Sequence, residues 1–351
     1  MSHEWPTTTL TVLEGQVEIV QLDATRRRVT LHPVSADLFI PRRQLETTLP
    51  EECIHILLKQ SFAWLCDALA RHDDPNYVKK VLHEQMHAYF QPDDFRGKRI
   101  LDFGCGQGAS TMIMGELFPQ AEVVGVELQA VNIAIANQLR DARRLSNVQF
   151  LLSPTPDSLP DQIGQFDFIM LSAVYEHMLP DERRTLMPLL WSYLKPQGAL
   201  LINQTPYRYY PKEHHTTGLW LINYFPRSLT HWMANRFARI NPEVNRSPDW
   251  KVLLRAGIRG GTEGEVLRIL RLGSGGKPRV MQPREMDRAA YWLSRTNPHS
   301  NRLLKRCIAS VFRLTDRLLG TIPSTHLDVV IRKEECEAEV RSYSRARVLP
   351  T

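Results

Sequence analysis

The chain has 351 residues, 43% of them hydrophobic, with 44 Lys/Arg against 38 Asp/Glu and a formal net charge of +6. That length and composition suit one large domain or two modest ones, and no apolar run approaches the ~20 residues needed to span a bilayer. The five cysteines (53, 66, 105, 307 and 336) show no paired spacing, and the acidic start with Glu4, Glu14, Glu18 and Asp23 does not read as a signal peptide. A cytoplasmic protein with reduced thiols is therefore expected. Charge is spread unevenly: residues 241–351 hold 21 Lys/Arg against 12 Asp/Glu, and the remainder sums to −3. A basic C-terminal third suits an anionic partner, or it is a solvated basic face.

Residues 1–48 read as a small β-rich module, with short strands expected at Leu10–Leu13, Val17–Leu22, Val29–Pro33 and Asp37–Pro41. Residues 49–95 read as helical. Ile54, Leu57, Leu58, Phe62, Leu65 and Leu69 form one stripe over Glu51–Arg71, and a second helix is expected over Asn76–Tyr89. The second helix holds His83-Glu84-Gln85-Met86-His87, a literal H-E-x-x-H. With no third ligand at a recognisable spacing, a surface or substrate-facing helix is expected there, and no metal site.

Residues 96–205 carry the most informative pattern. Ile100-Leu101-Asp102-Phe103 reads as an apolar strand, and Gly104, Gly106 and Gly108 then open a helix. Glycines let the backbone turn sharply and admit a ligand without a Cβ, and the first N–H groups of the helix offer it a polar landing. A second strand, Ala121–Glu127, ends in a carboxylate placed to accept hydrogen bonds from a ribose diol. The spacing G-x-G-x-G differs from the dinucleotide fingerprint G-x-G-x-x-G. Asp102 before the turn repels phosphate and attracts cations, so a ligand with an ammonium and a sulfonium fits, and NAD does not. S-adenosylmethionine carries both and no phosphate, so it is the ligand expected.

At this point the chain resembles the class I S-adenosylmethionine-dependent methyltransferases, from about Gly97 to Thr205 and again near His326–Lys333. The resemblance implies a Rossmann-like α/β fold, a mostly parallel seven-stranded sheet with helices on both faces, here preceded by the β-rich module. Ile100–Gly108 matches the turn that cradles the methionine portion, with Cys105 a small residue packed under the cofactor. Glu127 matches the ribose acid and Leu128 the apolar residue on adenine. Asn147–Leu152 resembles the third strand, and the loop after it borders adenine. There the family often has an acid, and this chain reads Ser153-Pro154-Thr155-Pro156-Asp157. The adenine contact then passes to Asp157, to a hydroxyl such as that of Thr155, or to backbone. Phe166–Ser172 matches the fourth strand, with Leu171 and Ser172 bordering the cofactor, and Leu194–Asn203 matches the fifth.

Methyl transfer to a hydroxyl needs alignment and a base near the acceptor. The end of the fourth strand offers Tyr175, Glu176 and His177, with His177 as general base and Glu176 orienting it or serving in its place. A helix cap and a backbone-bonded histidine are the structural alternative for the pair. Residues 206–325 form an insertion. Pro206–Pro226, rich in Tyr, His and Trp, reads as an acceptor-binding lid or a packed structural insertion, with His214 or His215 an alternative base. Glycine-rich stretches at 257–264 and 272–277 read as loops.

Over 302–319, Leu303, Leu304, Cys307, Ile308, Val311, Phe312, Leu318 and Leu319 form a stripe flanked by Arg and Lys. Such a helix is expected to pack on the protein's own core, with a peripheral membrane contact as the alternative. Residues 326–351 supply a last strand and a tail.

The reading favoured is a methyltransferase acting on a small-molecule or glycan acceptor, lipid-linked in the membrane case, with transfer to oxygen. A nucleic-acid methyltransferase and a non-catalytic cofactor-binding scaffold stay open. Against nucleic acid, the fourth strand lacks the Asn or Asp, Pro, Pro, aromatic signature of amino methylation, and no RNA-binding sheet pattern appears.

Overall fold

A computed structural model describes residues 6–35, 40, 42–59, 61–155, 157–240, 242–273, 276–296 and 301–335. Apart from Ile40, the strand anticipated at Asp37–Pro41 lies outside those residues, as do Cys336 and the tail after it. The chain divides into two compact units, Met1–Gln85 with Cys105–Leu152, and Met86–Gly104 with Ser153–Thr351.

Two sheets are formed. β1 (Thr7–Val12), β2 (Gly15–Gln21), β3 (Arg27–Pro33) and β4 (Gln44–Thr47) make an antiparallel meander in chain order. Alternation sets its register: Val17 faces Leu31 and Ile19 faces Val29, all four buried, while Gln16 and His32 point to solvent.

The second sheet holds β5 (Arg99–Phe103), β6 (Glu122–Glu127), β7 (Val148–Leu152), β8 (Phe166–Ser172), β9 (Leu194–Pro206), β10 (Lys277–Val280) and β11 (His326–Glu334). Its order is β10-β11-β9-β8-β5-β6-β7, the mostly parallel seven-stranded sheet that the resemblance implies. β5 with β8, β8 with β9 and β6 with β7 run parallel, whereas β11 is antiparallel to both β9 and β10. Its parallel strands read as unbroken apolar runs, Val123–Val126 and Phe168–Leu171, because both of their faces are covered.

In the first unit the helical pattern before the sheet breaks in two, which corrects the single helix expected. α1 (Glu51–Leu57) ends, and α2 (Phe62–Asp73) starts afresh where the Ser61 hydroxyl accepts from the Trp64 N–H. The meander is tied to α2: Asp73 accepts from the hydroxyls of Thr47 and Thr48, and Glu14 accepts from the Phe62 N–H at 2.6 Å. α3 (Val78–Tyr89) carries the His83–His87 pair. α4 (Ala109–Leu117) and α5 (Ala130–Arg143) follow the glycine turn and β6, and Arg143 of α5 pairs with Glu116 of α4 at 2.7 Å.

The second unit adds α6 (Pro180–Tyr193), α7 (Arg227–Phe237), α8 (Pro242–Asn245), α9 (Trp250–Arg255), α10 (Glu263–Leu270), α11 (Arg288–Ser294) and α12 (Arg302–Leu319). Ile222, Ala234, Trp250, Leu253 and Ile258 form a small core for the insertion. The loop expected at 272–277 leads directly into β10, an edge strand that the sequence pattern did not announce. α12 departs from its expected packing. Ala309 and Phe312 are its only buried side chains, packed with Ala289 and Ile322, while Leu303, Leu304, Val311, Leu314, Leu318 and Leu319 are exposed.

Candidate active site

In the first unit the glycine turn and the end of β6 are joined by backbone donors. The Cys105 N–H donates to the Val126 carbonyl at 3.1 Å, and the Gly106 N–H donates to Glu127 Oε2 at 3.0 Å. The Gln129 N–H holds the other carboxylate oxygen at 2.9 Å. Each oxygen thus keeps a lone pair for a further donor, such as a ribose hydroxyl.

Gly108 caps α4 in the left-handed region at φ 85°, and a Cβ there would lie 2.4 Å from the Phe150 ring, so only glycine fits. A Cβ at Gly106 would meet nothing within 4 Å, so the turn is open on that side. Cys105 is buried, and its sulfur lies where a Cβ on Gly125 would come within 2.9 Å of it. Leu128, beside the acid, is 47% exposed, an apolar surface with no cover.

In the second unit, Asp102 is the penultimate residue of β5 and is buried, and Gly104, just past the strand, lies at φ 74°. The loop after β7 is bonded to itself: the Thr155 hydroxyl donates to Asp157 at 2.7 Å, and the Ser153 hydroxyl donates to the Ser158 carbonyl at 2.6 Å. Leu171 is fully buried in β8, so only its backbone can border a ligand. Ser172 is half-buried, and its hydroxyl accepts from the Gln204 side chain at 3.2 Å. Ala173, just past β8, and Gln204, inside β9 near its end, hold φ of 55° and 58°. Non-glycine residues rarely adopt that conformation.

Next along the chain, Glu176 and His177 lie in a single 3-10 turn, Tyr175–His177. Glu176 is buried; its Oε2 accepts from the Thr205 hydroxyl at 2.7 Å, and its Oε1 has no hydrogen-bond partner among the described residues. His177 Nε2 lies 3.8 Å from that oxygen. Its Nδ1 contacts the Arg255 carbonyl at 2.6 Å, and a carbonyl only accepts, so Nδ1 carries a proton, and the neutral ring has its lone pair at Nε2. Burial raises the Glu176 carboxyl above its usual range, with His177 and the Thr205 hydroxyl opposing.

His215 stands beside His177, ring centroids 5.7 Å apart, and burial followed by the His177 charge lowers its pKa. Gly257, at φ 90°, lets both in: a Cβ there would lie 2.8 Å from His215 and 3.2 Å from Glu176. One ligand atom each from Glu176, His177 and His215 lies within 4.8 Å of the others, close enough to share a proton or to hold a metal ion. Among the described residues no such group includes His83 or His87.

His214 goes elsewhere. Its ring packs edge-on against His326 at 5.2 Å, and burial, then His214, lowers the His326 pKa to about 4. Gly257 and His326 were not singled out by sequence reasoning, and Thr205 and Glu213 stood in the candidate segment after the fifth strand with no role of their own. Glu213 fixes the segment by accepting the N–H groups of His215, Thr216 and Thr217. A hydroxyl at the end of the fifth strand, opposite the fourth-strand acid, was the one available signal for Thr205.

Within the first unit, an open glycine turn, an acid with free lone pairs and an exposed apolar residue are features compatible with a nucleoside ligand. Comparison with known proteins agrees. Residues 100–198 match the family described as methyltransferase domain. Over 104 residues the chain is 33% identical to trans-aconitate 2-methyltransferase of Deinococcus radiodurans, covering 30% of this chain and 36% of that protein. Over 108 residues it is 32% identical to the mitochondrial ubiquinone biosynthesis O-methyltransferase of Rattus norvegicus, covering 30% of each. The chain thus spans well under half the length of these relatives. Among solved structures, the plantazolicin methyltransferase BpumL in complex with SAH is 14% identical with a TM-score of 0.43, over 81% of this chain and 94% of that one. Residues 100–198 form a methyltransferase domain.

Proposed function

We propose that the chain transfers a methyl group from S-adenosylmethionine to an oxygen of a small-molecule or glycan acceptor. The observation that carries this is the methyltransferase-domain match over residues 100–198, within which the Gly106 N–H meets the Glu127 carboxylate at 3.0 Å. Asp102 would hold the ammonium of the methionine portion, Glu127 the ribose, and Leu128 one face of the adenine. Bound there, S-adenosylmethionine supplies a methyl already activated by its sulfonium. The chain's own residues align the acceptor and remove its proton. His177 Nε2 is the receiving atom, and the adjacent Glu176 carboxylate stabilises the imidazolium that forms. Thr205 keeps that carboxylate in place.

Labelled-methyl donor incubated with protein and cell extract, followed by mass spectrometry, tests this directly. Label in a low-mass or glycan product is expected. Label in nucleic acid would favour the second reading, and no transfer to any fraction would sink the first.

A partner is proposed on the same terms. The outward face of α12 carries Leu304, Cys307, Val311, Leu314 and Leu318 at spacings of three and four, with Arg302, Arg306 and Arg317 beside it. An apolar stripe bordered by cations complements an anionic membrane surface. A lipid-linked acceptor would then be presented by that surface.

A further inference from the structure

Beyond the glycine turn and the histidine cluster, the insertion of the second unit encloses a cleft of about 920 Å³, a size that suits a small organic ligand. Its lining is unusually basic. Arg183, Arg184, Arg208, Arg227, Arg259 and Arg268 border it, and Glu265 is its sole carboxylate. Its Oε1 is held by Arg183 at 3.1 Å, and its buried Oε2 has no hydrogen-bond partner among the described residues, so one carboxylate stands against six guanidinium groups.

Arg208 and Arg259 are left in an unusual position. Arg259 is half-buried and donates to the carbonyls of Asn223, at 2.9 Å, and Phe225, at 3.2 Å, neither of which carries a neutralising charge. Arg208 is half-buried too; its guanidinium lies over the Tyr209 ring, and its buried Nε has no hydrogen-bond partner among the described residues. Neither arginine has an ion-pair partner among the described residues. Burial, then repulsion from Arg208, lowers the Arg259 pKa to about 10. Two neighbouring cations withdrawn from water without a counter-charge are costly, and a bound anion removes that cost.

The rest of the lining says what the anion is attached to. Tyr209, Tyr224 and Phe225 are exposed on the cleft, the two tyrosine rings 5.8 Å apart, and the buried Asn223 Oδ1 has no donor among the described residues. Aromatic faces accept a planar or sugar ring, and an orphan carbonyl oxygen accepts a hydroxyl.

We propose that this cleft is an oxyanion-binding site in which Arg208 and Arg259 hold the phosphate or carboxylate of a ring-bearing small molecule. The ligand's assignment as the methyl acceptor rests on the proposed methyltransferase activity; the site itself does not. Arg208 follows Thr205 by three residues, and Arg183 donates to the Glu176 carbonyl at 3.4 Å, so the cleft adjoins the acid–histidine cluster.

Titration calorimetry without cofactor provides the test, with phenyl phosphate, benzoate and phenol as probes. One anion bound per chain, at least tenfold tighter than phenol and weakened at least tenfold in Arg208→Gln, is the expected result. Tighter phenyl phosphate assigns a phosphate ligand, and tighter benzoate a carboxylate. Anions no tighter than phenol, or affinity unchanged in Arg208→Gln, would overturn the proposal. Arg259→Gln serves as a second variant, and retained S-adenosylhomocysteine binding in either variant reports an intact fold. A protein that binds phenyl phosphate but not S-adenosylhomocysteine would keep this site and lose the methyltransferase proposal.

Discussion

Because a backbone carbonyl only accepts, the Arg255 oxygen obliges His177 to keep a proton on Nδ1, which in the neutral ring puts the lone pair at Nε2, 3.8 Å from the Glu176 carboxylate. His177→Ala is therefore expected to lower kcat by about 100-fold or more, the usual contribution of a general base. S-adenosylhomocysteine affinity should not change. Full activity in that variant would remove the base from His177. The adjacency of Glu176 and His177 after an apolar strand was legible in the sequence. The partners that set their state were not: Thr205, His215, Arg255 and Gly257 come from distant segments, and only the fold brings them together. For the same reason two consecutive histidines looked equivalent, while the backbone sends His215 towards His177 and His214 towards His326.

Elements differ in how openly the sequence declares them. Parallel strands buried on both faces betray themselves as apolar runs, so β6 and β8 were readable. β10 reads Lys-Pro-Arg-Val and alternates between exposed and half-buried, and pairing with β11 is what makes it a strand. In α4 the Gly108 cap has a measurable consequence. Gly108→Ala forces a Cβ against Phe150 at a left-handed φ, and is expected to cost about 2–4 kcal/mol in urea unfolding. Phe150→Leu in that background should recover part of the loss; a neutral Gly108→Ala would contradict the tight contact.

α2 carries a pH dependence. Burial, then repulsion from Arg143 and Arg71, lowers the His72 pKa from 6.5 to about 3. Below pH 6.5 the unfolded chain takes up a proton that the folded chain refuses until about pH 3. Stability then falls by about 1.4 kcal/mol per pH unit across that window. Replacing the imidazole, as in His72→Phe, should abolish this slope, so the variant's relative stability rises by about 2 kcal/mol between pH 7 and pH 5. Parallel curves for the two proteins would contradict it.

At the scale of the whole molecule, the basic excess read from residues 241–351 falls partly along α12, and only Arg259 and Arg268 of it line the arginine-rich cleft, whose other four arginines come from residues 183–227. The amphipathic period of α12 was plain in the sequence, but period alone does not say which side is covered. Its inward contacts are Ala309 and Phe312, with Arg288 pairing to Asp316 at 2.8 Å, and the leucines remain outside. No helix among the described residues is long and apolar enough to cross a membrane. Sedimentation with vesicles is expected to show binding to phosphatidylglycerol and much weaker binding to phosphatidylcholine. Leu304→Glu with Leu318→Glu should reduce it at least tenfold. Equal binding to both vesicles, or no effect of the double variant, would remove the membrane partner.

Central to the whole account is a sulfonium nucleoside gripped by the Glu127 carboxylate at the glycine turn. Calorimetric titration of the full chain with S-adenosylhomocysteine, beside Glu127→Ala, puts this to the proof. One equivalent bound by the native chain and an affinity at least 100-fold weaker in the variant are expected. A native chain that takes up none, or a variant that binds as well as the native chain, would contradict it.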